Sequence, residues 1–139
     1  MNGVEISTDR SRLDVDMIYG FLSDSYWARD RPRSIVQTSI DNSLCFGAYI
    51  ADVQVGFARV ITDYAVFGYV ADVFVLDSHQ GQGIAKQLLQ AIIEHPDIQG
   101  LRLVMLATRD AHGLYEQFGF ELIPGSERVM TLFAIRDDQ

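Results

Sequence analysis

Gly81 and Gly83, two glycines one residue apart, stand where an apolar run gives way to an amphipathic one, and chemistry is easiest to place there. Residues 70–93 read VADVFVLDSHQGQGIAKQLLQAII. A β-rich run from Val70 to Leu76 enters the polar turn Asp77-Ser78-His79, and the glycine pair follows around Gln82. Ile84, Leu88, Leu89, Ile92 and Ile93 then recur at helical spacing. A strand, a glycine turn and a helix in direct succession aim a helix N-terminus and several free backbone N–H groups at one point, a geometry that suits an anionic phosphate. Glycine also lets a ligand approach the main chain where a Cβ would obstruct it. A tight turn that binds nothing accounts for the same residues.

A cradle of this kind needs a sheet to hold its strand and a core behind its helix, and 139 residues are enough for one α/β domain spanning 1–139. A hydrophobic content of 48% with 22% charged residues excludes a disordered chain. No apolar run approaches the roughly 20 residues that cross a bilayer, and the N-terminus lacks a signal-peptide pattern, so no membrane association is expected. A single cysteine, Cys45, fits a reducing cytoplasm. The net charge of −8 argues against nucleic-acid binding. Lys86 is the one lysine, so an anion would be held by local dipoles and a few cations against the long-range field.

Taken in order, Gly3–Ser7 alternates as a first strand, and Ser11 or Asp14 caps a helix carrying Leu13, Met17, Ile18, Phe21 and Leu22. A polar and aromatic segment, 23–33, leads through Pro32 into a second helix with Ile35, Val36 and Ile40. Leu44–Ala51 and Gln54–Asp63 read as a hairpin joined at Asp52-Val53, and a turn at 62–65 precedes a strand from Phe67 to Leu76. After the glycine turn and its helix, His95-Pro96-Asp97 ends the helix. Leu101–Thr108 reads as a buried strand, Asp110 as the cap of a helix over 111–118, and Arg128–Ile135 as a last strand. The order predicts a single mixed sheet with helices on both faces.

Two common phosphate-binding turns do not match. The Rossmann fingerprint requires a third glycine where Lys86 stands and an early position in the βαβ unit, and the P-loop requires Gly-Lys-Ser/Thr. Gln80-Gly81-Gln82-Gly83-Ile84-Ala85 instead matches in full the Gln/Arg-x-x-Gly-x-Gly/Ala pattern of the GNAT superfamily of N-acetyltransferases. A second signature, Leu-Tyr followed by Gly-Phe, is similar to AHGLYEQFGF, with Tyr115, Gly119 and Phe120 in place. The order of elements resembles that fold from Val4 to Ile135. The resemblance implies an α/β fold with a mixed, mostly antiparallel sheet of about six to seven strands, splayed between the fourth and fifth and flanked by about four helices.

Acetyl-CoA is then the implied co-substrate, with no metal. Its pantetheine arm would lie along Val73, Phe74 and Val75, and its pyrophosphate on the N–H groups of Gln80, Gly81, Gln82, Gly83, Ile84, Ala85 and Lys86. Thr108 occupies a position where many members place an asparagine that contacts the coenzyme. The implied reaction is direct attack of an amine on the thioester. A free alkylamine is mostly protonated at neutral pH, so a base is needed, and the leaving thiolate needs an acid. Tyr115 matches the family's general acid. Asp72, near the position of a glutamate in several members, His112, three residues before Tyr115, and a water relay are the candidates for the base.

The acceptor would lie against Tyr26, Trp27, Arg29, Asp63, Tyr64 and Asp110. Aromatic rings with acids suit a cationic amine, whereas Arg29 and Arg59 suit an acceptor bearing a carboxylate. The leading expectation is acetylation of a small-molecule amine. Protein N-terminal or lysine acetylation, and a non-catalytic acyl-CoA sensor on the same fold, are the competing ones. Homodimers are common in the family.

Overall fold

A computed structural model describes residues 3–132. Five strands form one sheet in the order β1 (Glu5–Ser7), β2 (Leu44–Ile50), β3 (Val53–Thr62), β4 (Phe67–Val75) and β5 (Leu103–Met105). The first four are antiparallel, and β5 joins β4 in parallel. The α-helices among the described residues are α1 (Val15–Ser23), α2 (Arg33–Asp41), α3 (Ile84–Glu94), α4 (Pro96–Gln99) and α5 (His112–Glu116), with short 3-10 turns at Arg10–Arg12, Asp77–His79 and Ser126–Arg128. None is long and apolar enough to cross a membrane.

Local chemistry sets most boundaries. The Asp14 carboxylate accepts from the N–H of Met17 and caps α1. The β2–β3 connection is Ala51-Asp52, one residue earlier than the pattern indicates, and both take positive φ (50° and 67°), as a two-residue hairpin that follows the strand twist requires. Pro96 does end α3, but it also opens α4, because a proline is tolerated in a first turn whose N–H has no helical partner.

The sheet has a core on each side. Phe46, Ala48, Val60, Val70 and Val75 pack with Ile84, Leu88, Leu89 and Ile92 of α3. On the other side Cys45, Phe57 and Phe74 meet Ile18 and Leu22 of α1 and Val36 and Ile40 of α2. Phe74 stacks on Phe21 with centroids 4.0 Å apart. Sheet alternation thus sends β4 side chains to two separate cores.

Three expectations for the C-terminal third are corrected. The strand expected over Leu101–Thr108 is paired only at Leu103–Met105, because residues 106–108 leave the sheet. The last helix is His112–Glu116 and has no Asp110 cap; the Thr108 hydroxyl instead accepts from the N–H of Ala111. Residues 128–132 form no strand, and 133–135 lie outside the described residues, so five strands are described where six to seven are expected.

Candidate active site

β4 and β5 pair through Phe67–Leu103, Gly68–Val104 and Tyr69–Met105 and no further. β4 runs on to Val75 while the chain after Met105 turns away, so the two diverge and leave one edge of β4 open. The end of β4 turns through Asp77–His79 into the glycine pair. Gly81 and Gly83 take φ of +79° and +80°, a region that disfavours any side chain, and a Cβ built on either would meet no atom within 4 Å. Gly83 caps α3, whose first internal bond runs from Gln87 N–H to Gly83 C=O. The N–H groups of Ile84, Ala85 and Lys86 precede that bond, where a helix has no internal acceptors to offer.

Side chains contribute little to this cradle. Ile84 is buried in the α3 core, Phe74 and Val75 are committed to opposite cores, and Lys86 is exposed. Gln80 turns back, its amide donating to Val75 C=O at 3.1 Å and to the Asp77 carboxylate at 3.2 Å, so it braces the turn. A bare main chain, an open space and a helix dipole fit a pyrophosphate.

Asp72 makes the bulge that bends β4. It has φ +54°, and the β3–β4 register shifts between Phe57 and Arg59, leaving Asp72 and Val73 opposite one residue. Alternation correctly places Asp72 on the Phe74 side, against the segment between α1 and α2. There both carboxylate oxygens are taken. Trp27 Nε1 donates to Oδ1 at 2.8 Å, while Arg31 Nη1 and Arg59 Nε donate to Oδ2 at 2.9 and 2.7 Å. The Asp72 side chain is 2% exposed and that of Arg59 10%. Burial raises the Asp72 pKa, but Arg59, Arg31 and Trp27 outweigh it and hold the carboxyl below its ordinary value. A buried carboxylate with a depressed pKa and a donor on each oxygen is a poor proton acceptor, so the geometry favours Asp72 as an anchor for Trp27 and Arg31 over a base.

Beside this cluster is a cavity of about 590 Å³, lined by β4, by residues 107–111 and by Tyr115. Of the acceptor residues expected from sequence, Tyr26, Trp27 and Asp110 line it; Arg29, Asp63 and Tyr64 do not. Asp63 accepts the N–H groups of Ala65, Val66 and Phe67 and closes the β3–β4 turn, and those bonds lower its pKa. Thr108 lines the cavity, with its oxygen engaged by Ala111.

Tyr115 borders two spaces: this cavity and an apolar trough of about 1090 Å³ walled by Leu103, Leu106, Phe118 and Leu122. His112 lines only the trough, which removes it from the Asp72 side. Burial, with a smaller contribution from Tyr26, pushes the Tyr115 pKa up, so the phenol keeps its proton.

Two charged lining residues escaped the sequence. Arg31 lies in the turn segment after Trp27, outside any helix, so no periodicity announces that the two share the Asp72 carboxylate. Arg109 stacks over the Tyr26 ring at 3.7 Å, a contact with no local pattern.

The comparisons agree with this geometry. The family model described as "Acetyltransferase (GNAT) domain" matches residues 41–122. A crystal structure from Xanthomonas campestris pv. campestris, provisionally described as a GNAT-family acetyltransferase, is 50% identical, with a TM-score of 0.93 over 96% of this chain and 95% of that one. A Gibberella zeae protein provisionally named an acetyltransferase is 36% identical over 79% of this chain and 74% of its own. An L-methionine sulfoximine/L-methionine sulfone acetyltransferase of Pseudomonas aeruginosa is 39% identical over 36% of this chain and 31% of its own. The matched span takes in the glycine turn, both splayed strands and the Tyr115 helix, and the chain belongs to the GNAT acetyltransferases.

Proposed function

We propose that this acetyltransferase moves acetyl from acetyl-CoA directly to the primary amine of a small molecule. The observation that carries the reading is the cavity itself: the open edge of β4 leads from the glycine cradle to a space with Tyr115 on one wall and the Asp72 cluster on another. About 590 Å³ is in the range of small-ligand pockets. The Pseudomonas relative, whose name gives small amino-acid derivatives as acceptors, supports the same scale.

Acetyl-CoA, when bound, supplies an activated thioester. The N–H groups of Gly81 to Lys86 hold its pyrophosphate, and the main chain of Val73–Val75 pairs with its pantetheine amides. Trp27, fixed by Asp72, walls the acceptor. As the C–N bond forms and the C–S bond breaks, Tyr115 gives its proton to the departing sulfur. The amine proton leaves to bulk solvent through the open cavity, on whose wall Asp110 is the second carboxylate.

Calorimetry with acetyl-CoA, followed by an amine panel with free-thiol detection, tests this. Binding with amine-dependent thiol release is expected. Failure to bind acetyl-CoA refutes the donor assignment, and binding without thiol release from any amine points to a sensor.

A further inference from the structure

The Asp72 cluster is unbalanced. Two guanidinium groups, Arg31 and Arg59, converge on one carboxylate oxygen, so a net positive charge remains at a site whose anion is 98% buried. Neither arginine is used up. Arg31 spends Nη1 on Asp72, and Arg59 spends Nε on Asp72 and Nη1 on the Ser43 hydroxyl. Among the described residues nothing bonds the other N–H groups of either. Both line the cavity, and the Arg31 side chain is 23% exposed. Arg109 adds a third cation, flattened on Tyr26. On a chain of net charge −8, three of 11 basic residues face one small space against two acids, Asp72 and Asp110. Such a local reversal of sign attracts an anion that the rest of the surface repels.

We infer that the acceptor carries a carboxylate a few bonds from its amine, as an amino acid does, and that the free edge of Arg31, braced by Asp72 and backed by Arg59, receives it. The inference rests on the acetyl-transfer reading above and names its substrate class. A planar fork of N–H donors matches a carboxylate in two parallel bonds, and Arg31 enters that contact already oriented, since Asp72 holds its Nη1. The carboxylate would also complete an alternating set of two cations and two anions. Arg31 is therefore a specificity residue, and Asp72 positions it.

The test uses α-amino acids, each paired with its carboxamide, with kcat/KM measured by thiol release for wild type, Arg31→Met and Arg31→Lys. The carboxamide has the less basic amine and a larger neutral fraction, so preference for the acid runs against intrinsic reactivity. Wild type is expected to prefer the acid. Arg31→Met should lower kcat/KM for the acid by about 10- to 100-fold while changing the carboxamide by less than about threefold, with partial recovery in Arg31→Lys. A wild type that prefers carboxamides, or an Arg31→Met loss equal for both members, overturns the inference. Calorimetric titration of the same pairs with coenzyme A present decides the matter independently of turnover. Binding of acids that Arg31→Met removes supports the inference even if no amine releases thiol, and acids that bind no better than carboxamides refute it even if amines are acetylated.

Discussion

Replacing Asp72 by alanine tests whether its carboxylate is an anchor. The substitution removes acceptors from Trp27 Nε1, Arg31 Nη1 and Arg59 Nε at once. Arg31 can turn toward solvent, but the Arg59 side chain is buried and would keep its charge without a counterion. Breaking a buried pair by deleting one partner costs about 3–5 kcal/mol. With an unfolding entropy near 2.1 cal/mol/K per residue over 139 residues, that is a fall in Tm of about 10–17 °C. The decisive comparison is Asp72→Ala with Asp72→Ala/Arg59→Met. Removing the stranded guanidinium should recover about 1–3 kcal/mol, so the double variant is the more stable of the two. Urea midpoints read by Trp27 fluorescence give both values. The sign with pH also follows. Because the folded pKa lies below the ordinary aspartate value of 3.8, the stabilisation is complete above that value and is lost as pH falls through the folded one. The gap between wild type and Asp72→Ala should hold from pH 7 to about 5 and narrow below about 4. A double variant less stable than Asp72→Ala, or a gap that widens in acid, refutes the anchor.

Tyr115→Phe should lower kcat by about 10²- to 10⁴-fold while acetyl-CoA affinity by calorimetry stays within about twofold; because burial raises the phenol pKa above its ordinary 10.0, wild type should show no basic limb from this group below that pH. Gly83→Ala forces a side chain to φ +80° and should cost about 1–2 kcal/mol and weaken acetyl-CoA binding, whereas Gly100→Ala, at φ −85° with open space around it, should not destabilise; equal urea midpoints for the two would sink the cradle argument. Cys45 is 3% exposed and burial pushes its thiol up to about 11, so a thiol reagent at pH 8 should label it only after denaturant is added, and rapid native labelling would contradict the packing against α2.

The sequence alone settled what short-range chemistry controls. The alternation of β4, the helical stripe of α3 and the glycines between them specify a strand, a turn with positive φ and a helix start, because each depends on neighbours within a few residues. Asp14 as a cap and the Asp72–Phe74 side of β4 were legible for the same reason. The C-terminal third was not, because whether residues 106–108 stay in the sheet depends on a partner strand that local pattern does not contain. His112 and Tyr115 share a helix face, yet that face meets two spaces, and only packing shows that Tyr115 alone reaches the cavity.

Asp72 marks the division most clearly. As a residue type on a strand it offers either a base or a buried ion, and nothing within ten positions chooses between them. The choice comes from Trp27 and Arg31, 45 and 41 residues away, and from Arg59 across the β3–β4 ladder. A carboxylate's role follows from what surrounds its oxygens, because counterions and donors move its pKa and fill its lone pairs. Local pattern placed the glycine turn at the start of α3; long-range contacts placed the charges beside the cavity.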